Sequence, residues 1–69
     1  MVLTYEYIER DDPKENAILI QFGEEHDPKY GDPIWVPRDV IISIDEPVNE
    51  IQVLDWWAID KYLDGFQLY

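Results

Sequence analysis

Hydrophobic and polar residues alternate along most of the chain, which is the pattern of half-buried β-strands. The first such segment spans residues 2–9 and places Leu3, Tyr5 and Tyr7 on one face. Shorter segments with apolar alternation predict further strands, at residues 17–22, 34–36, 41–45 and 50–54. We expect the first two strands to pair as an antiparallel hairpin, because a short polar loop, residues 10–16, joins them.

Within the later strands, one set of apolar residues is predicted to face the core: Ile18, Ile20, Phe22, Ile51 and Val53. Ile42 and Ile44 are predicted to share one face of their strand. Pro37 cannot donate a hydrogen bond to a sheet, so we expect the third strand to end there and a 3₁₀ turn to follow at Arg38 and Asp39. Pro47 after Glu46 is typical of a type I turn, which would connect the last two strands.

After residue 54 the apolar repeat changes from a strand period to a helical one. The helical repeat is formed by Trp56, Ile59 and Leu63. Asp55 is a favourable N-cap residue, and Gly65 is the expected residue just after the C-terminal end. The sequence therefore predicts a short C-terminal helix, at about residues 55–64, with Trp56 in the core and Trp57 at the periphery.

These elements predict a single domain, residues 1–69, of the mainly β class. Five short strands followed by one helix match a small five-stranded SH3-like antiparallel barrel, with the helix closing an open end or covering an edge. Phe66, Leu68 and Tyr69 are apolar and are expected to fold back against the barrel. The chain contains no cysteine, so its stability must come from packing or from a partner.

Two stretches resemble a group of small proteins from phages and mobile elements. Residues 35–41, WVPRDVI, are similar to a signature of tryptophan, aliphatic, proline, basic, polar, any residue and isoleucine. An Ala-Ile-Leu strand at residues 17–19 precedes it, and residues 53–63 contain the group's Val-x-x-Trp-x-Ala-x-x-Lys-x-Leu segment. The resemblance implies an SH3-like fold and a mobile-element origin, and it implies no catalytic residue. Asp39 stands where serine is common, and the loop at residues 23–32 is longer than usual.

The chain carries sixteen Asp and Glu residues against five Lys and Arg residues, a formal net charge of −11 on 69 residues. This balance argues against direct binding of nucleic acid or of an anionic membrane surface, since both need cations on the protein. No apolar run approaches the ~20 residues needed to span a bilayer. No basic and apolar signal segment is visible, so we expect a cytoplasmic protein, in the host cell if it is phage-encoded.

Groups that could perform catalysis or bind metal are scarce. His26 is the one histidine, and Thr4 and Ser43 are the only serine or threonine hydroxyls, so no convincing triad can form. We interpret His26 as a solvated loop residue, with general base and metal ligand as the alternatives. The acidic clusters lack the Asp-x-Asp-x-Asp-Gly pattern of a calcium loop, which leaves weak, nonspecific Ca²⁺ or Mg²⁺ binding. We therefore predict a protein that is not an enzyme and has no cofactor.

The remaining hypothesis is a binding surface for a protein. A dense negative field attracts basic partners and can imitate a phosphate backbone, although it also serves plain solubility. The candidate contact residues are Asp11, Asp12, Glu24, Glu25, Asp27, Tyr30, Asp32 and Trp57. The sequence predicts a small acidic phage or mobile-element protein that binds and inhibits a basic, nucleic-acid-binding host protein. The alternative is a non-catalytic structural or accessory subunit, or a homodimer.

Overall fold

The computed structural model describes residues 1–68, and within them the chain forms six strands, one α-helix and three 3₁₀ helices. The regular elements are β1 (Val2–Thr4), β2 (Tyr7–Arg10), β3 (Ala17–Gln21), β4 (Ile34–Pro37), β5 (Ile41–Asp45), β6 (Glu50–Val53) and α1 (Asp55–Asp60). The 3₁₀ helices are Arg38–Val40, Glu46–Val48 and Asp64–Phe66. Tyr69, which was expected to fold back, lies outside the described residues.

The strands form two antiparallel three-stranded sheets, in the orders β1-β6-β5 and β2-β3-β4. The chain leaves the first sheet after β1, builds the second sheet, and returns through the 3₁₀ helix Arg38–Val40. The mainly β class and the short C-terminal helix are confirmed. The closed five-stranded barrel is not confirmed, because the described residues contain six strands and no ladder joins the two sheets.

The first predicted strand is two strands, because the chain changes sheets in its middle. The N–H of Tyr5 donates to the carbonyl of Asn49, next to β6, at 3.1 Å, whereas the N–H of Glu6 donates to Gln21 in β3 at 2.8 Å. Consecutive residues therefore bond to different sheets, and the alternation is broken. Tyr7 is 41% exposed for this reason, so the expectation that it shares one face with the buried residues Leu3 and Tyr5 is wrong.

The predicted hairpin between β2 and β3 is confirmed, with an irregularity in register between Ile8 and Arg10. The expectation that Ile42 and Ile44 share one face is wrong: the register of β5 against β6 shifts between Ile41 and Ser43, so Ile42 is the extra residue of a bulge. The Ile42 side chain is 55% exposed. Ile44 is half-buried against the core.

The core receives side chains from both sheets and from the C-terminal segment. Its buried residues are Leu3, Tyr5, Ile18, Ile20, Phe22, Val36, Val40, Ile51, Val53, Trp57, Ala58 and Leu63. Phe66 packs against this cluster, so its prediction to fold back is confirmed. Most of the predicted inward strand residues are in the core because a sheet with one covered face keeps a strict period of two.

The C-terminal helix is shorter than predicted, and its buried face is different. The chain leaves the helix at Tyr62, which has a φ of 59°, and the N–H of Leu63 donates to the carbonyl of Ala58 at 2.8 Å. Leu63 is thus buried through a turn rather than through a continuing helix, and the prediction of Gly65 as the terminating residue is wrong. Trp56 is 64% exposed and Trp57 only 3%, so the assignments of these two residues to core and periphery were also wrong.

Candidate functional site

The long loop between β3 and β4, residues 23–33, is held from within by a buried glutamine. Gln21 is 1% exposed, and its Nε2 donates to the carbonyls of Gly23 at 2.7 Å, Gly31 at 2.9 Å and Tyr30 at 3.3 Å. Sequence reasoning missed this role. The available signal was a polar residue inside the apolar run at residues 17–22, directly before a loop with many carbonyls to satisfy.

Asp27 organises the same loop from its outer part. Its Oδ1 accepts hydrogen bonds from the N–H groups of Lys29 at 2.8 Å and Tyr30 at 2.9 Å. The bonds from Tyr30 and then Lys29 lower the pKa of the Asp27 carboxyl. A Cβ atom at Gly31 would lie 2.4 Å from the Asp27 carbonyl oxygen and 2.9 Å from that of Glu25. The loop is therefore a tightly built unit that requires glycine at position 31.

The loop packs against the segment that follows α1. The hydroxyl of Tyr30 donates to the carbonyl of Tyr62, and its ring meets Phe66 edge to face at a centroid distance of 4.9 Å. Lys29 Nζ lies 5.2 Å from the ring centroid of Tyr30 and 4.9 Å from that of Tyr62. Tyr30 is accordingly half-buried, whereas Glu24, Glu25 and Asp32 are exposed.

Asp11 and Asp12 lie at the other end of the second sheet. Their loop precedes β3, whereas the loop at residues 23–33 follows it, so the length of β3 separates the two predicted groups. Asp11 pairs with Arg38 at 2.8 Å, and Asp12 lies 4.0 Å from Arg10. The structure therefore does not bring all the predicted contact residues together, and two arginines partly neutralise this group.

Most carboxylates of the protein have no cation beside them. In the part of the chain that the structure describes, eleven of the sixteen lie further than 4.0 Å from any ammonium or guanidinium nitrogen. They are Glu6, Glu9, Glu24, Glu25, Asp27, Asp32, Asp39, Asp45, Glu46, Glu50 and Asp64. They occur on both sheets and near the helix, so the negative field covers the molecule rather than one patch.

A second feature is an exposed apolar surface at the C-terminal helix, which we name the α1 face and define as Trp56, Ile59 and Tyr62. These side chains are 64%, 57% and 66% exposed. Trp56 and Ile59 are three positions apart, which places them on one side of the helix. Asp55 and Asp60 flank them in the sequence. The face was not predicted, because the sequence assigned Trp56 to the core and left Trp57 outside.

A third feature is an open cleft where the chain crosses between the sheets. It has a volume of about 240 Å³ and is lined by Tyr5, Glu6, Tyr7, Ile8, Glu46 and Asn49. Asn49 shapes it from a left-handed conformation, with φ of 54°, that asparagine tolerates. Its Nδ2 donates to the Glu6 carbonyl at 3.0 Å, and its N–H donates to the Glu46 carbonyl at 3.1 Å.

Tyr5 gives this cleft an unusual polar group. The residue is 5% exposed, and its hydroxyl is the one buried side-chain polar atom among residues 1–68 that has no hydrogen-bond partner. Burial raises the pKa of the Tyr5 hydroxyl, and the negative charges of Glu46 and Asp45 raise it further. Sequence reasoning missed the cleft, because its residues come from two hairpins and share no motif.

Among the described residues, no group of three or more His, Cys, Asp and Glu side chains is placed to hold a metal ion. No helix in that part of the chain has the length and apolar character needed to cross a bilayer. Comparison of the chain with protein-family models, with curated proteins and with solved structures finds no match.

Proposed function

We propose that this chain is a small acidic phage or mobile-element protein that binds and inhibits a basic, nucleic-acid-binding protein in the cytoplasm of its host. The observation that carries the proposal is the exposure of Trp56 on a folded domain of extreme acidity. Tryptophan is among the residues most enriched in binding hot spots, and Trp56 is exposed together with Ile59 and Tyr62 rather than singly. The contact centres on the α1 face.

The charge of the molecule specifies the partner. Eleven carboxylates have no paired cation among residues 1–68, and their field speeds the approach of a basic protein and repels an acidic one. A protein that normally binds a phosphate backbone carries the complementary cations. Inhibition follows when the acidic domain occupies that surface in place of nucleic acid.

The loop at residues 23–33 extends the contact beyond the helix. Lys29 and Tyr30 join it to Tyr62, so this part of the acidic loop borders the α1 face. We include Glu24, Glu25 and Asp32 in this contact because they are the exposed acids of the loop. Trp57 is buried and belongs to the core instead. Asp11 and Asp12 lie at the other end of β3 and pair with arginines, so we leave them out of this contact.

The mobile-element origin rests on the sequence resemblance. The Trp-Val-Pro-Arg stretch at residues 35–38 contributes the end of β4 and the start of the 3₁₀ helix that returns the chain to the first sheet. That arrangement, a strand, a 3₁₀ turn and a further strand, is the one by which the group resembles SH3-like barrels. The finer assignment to an SH3-like family is part of this proposal.

Capture from a host lysate tests the proposal. The immobilised protein is exposed to nuclease-treated lysate, and bound proteins are eluted with rising salt and, separately, with duplex DNA. We expect one or a few basic proteins that both treatments release. Trp56→Ala should weaken their binding about thirtyfold, since hot-spot residues contribute 2 kcal/mol or more.

Trp35→Ala is the matched control, because Trp35 is also exposed, at 45%, but lies on β4. It should leave capture unchanged. An empty low-salt eluate overturns the proposal, as does a captured protein that binds the Trp56 and Trp35 variants equally.

A second function, a homodimer or accessory subunit, is favoured by one observation. Ile42 and Trp35 are exposed on β5 and β4, which are edge strands of their sheets. An edge strand with exposed apolar residues is a template for pairing with another chain. The charge of −11 opposes a second copy of the same chain, so we place this function second. Light scattering at high protein concentration distinguishes a dimer from a monomer.

A further inference from the structure

We propose that the cleft between the sheets is a binding site for the guanidinium group of an arginine side chain. It is separate from the α1 face and is built by Tyr5, Glu6, Tyr7, Ile8, Glu46 and Asn49. The inference deepens the proposed function, on which it rests in one respect: the arginine is supplied by the basic partner.

The buried hydroxyl of Tyr5 has no hydrogen-bond partner among the described residues. Buried polar groups in proteins almost always have hydrogen-bond partners, and a group without one calls for an explanation. Tyr5 lines the cleft and is 95% removed from solvent, yet its hydroxyl is unpaired. A ligand with an N–H donor would complete it, because a neutral phenol oxygen accepts hydrogen bonds.

The charge around this hydroxyl is negative. Glu6 and Glu46 line the cleft, and neither lies within 4.0 Å of a cation among the described residues. Burial and then the charges of Glu46 and Asp45 raise the pKa of Tyr5, so its hydroxyl stays neutral beside them. The lining of the cleft therefore combines carboxylates with the buried, neutral hydroxyl of Tyr5, a combination that suits a cation with several donors.

The shape of the guanidinium group favours arginine over lysine as the ligand. A guanidinium is flat, has five N–H donors and is less strongly hydrated than an ammonium group, so it can address a carboxylate and a hydroxyl together. Tyr7 is 41% exposed and lines the same cleft, and a guanidinium interacts more favourably than an ammonium with an aromatic ring. A volume of about 240 Å³ accommodates one such side chain rather than a folded segment.

The cleft is also held in place before any ligand arrives. Asn49 bonds through its side chain to Glu6, through its N–H to Glu46 and through its carbonyl to Tyr5. One residue thus connects three members of the lining. A site with fixed walls loses less freedom on binding, which favours recognition of a small group.

An NMR titration with Nα-acetyl-arginine amide tests the site directly. We expect saturable shifts of the backbone amides that line the cleft, weaker shifts with the matching lysine amide, and none with the citrulline amide, a neutral isostere. Glu46→Gln should weaken binding of the arginine probe about tenfold, since it removes a charge-assisted hydrogen bond. Asp39→Asn is the matched control, because it removes the same charge at the far end of β5.

The Tyr5→Phe variant tests whether the unpartnered hydroxyl serves a ligand or is only an unsatisfied polar group in the core. It removes only the hydroxyl, so the melting temperature of the free protein should rise while the arginine probe binds less tightly. Equal shifts with the arginine and citrulline probes overturn the inference, as do equal shifts with arginine and lysine or equal affinities of the Glu46 and Asp39 variants. A cleft that binds arginine in a protein that captures no basic partner supports this site and overturns only the proposed function.

Discussion

The loop at residues 23–33 and the cleft between the sheets are both rich in acids, but they satisfy their polar groups differently. In the loop, Gln21 donates to three carbonyls and Asp27 accepts from two backbone N–H groups. In the cleft, the buried hydroxyl of Tyr5 has no partner, and the carboxylates of Glu6 and Glu46 face no cation among the described residues.

A high density of acidic residues therefore does not by itself mark a binding site. The sequence predicted a functional site in the loop because the loop is long and acidic, yet several polar groups there form hydrogen bonds that hold the loop's own backbone. The sequence predicted no site in the cleft, although the Tyr5 hydroxyl there has no hydrogen-bond partner among the described residues. Unused capacity in a buried position indicates a ligand better than charge does, because leaving it unused lowers stability.

The largest expected effect is at Gln21. Gln21→Ala removes the donor that serves three loop carbonyls, so the free energy of unfolding should fall by about 3 kcal/mol. Gln52→Ala is the control: Gln52 is half-buried on β6, and its Oε1 accepts only a long bond, 3.5 Å, from Ser43. Urea unfolding measures both variants. Equal losses would mean that Gln21 does not hold the loop.

A smaller effect of the opposite sign is expected at Tyr5. Tyr5→Phe removes a buried hydroxyl without a partner and should raise the free energy of unfolding by about 1 kcal/mol. Tyr62→Phe should change it little, because Tyr62 is 66% exposed. Thermal and urea unfolding at neutral pH test the pair. A loss of stability in the Tyr5 variant would show that the hydroxyl has a partner in solution and would remove the contrast between the two regions.

The smallest effect concerns the pH dependence of the loop. The pKa of Asp27 in the folded state is lowered by the hydrogen bonds from Tyr30 and Lys29, so its ionised form stabilises the fold. This contribution is fully present above the ordinary value of 3.8 and is lost as the pH falls through the lower, folded-state pKa. Asp27→Ala should therefore be less stable than wild type at neutral pH, and the gap should close in acid.

Asp32→Ala is the control for this experiment, because it removes one loop charge and Asp32 makes no hydrogen bond among the described residues. Unfolding is followed from pH 7 to pH 2. The quantity compared is the loss of unfolding free energy relative to wild type. If this loss stays constant across the pH range for the Asp27 variant, or equals that of the Asp32 variant, the role of the ionised carboxylate is contradicted.

Local patterns predicted much of the second sheet and little of the candidate sites. Ile18, Ile20 and Phe22 are buried as expected, and the break at Pro37 is where its ring and missing N–H demand it. The α1 face was assigned the wrong tryptophan, since the helical repeat assumed that the helix continues to Leu63. The cleft could not be predicted, because its residues lie on separate hairpins.

The sequence by itself determined the acidity, the absence of cysteine, the mainly β class and most strand positions, since these follow from composition and from short-range periodicity. Only the tertiary structure decided which carbonyl groups accept the backbone N–H groups of Tyr5 and Glu6, and therefore that the strands divide into two sheets. It also decided that the chain turns at Tyr62, and that Trp57 rather than Trp56 is buried. The physical reason is that both outcomes depend on hydrogen bonds and packing between distant segments, which no local pattern encodes.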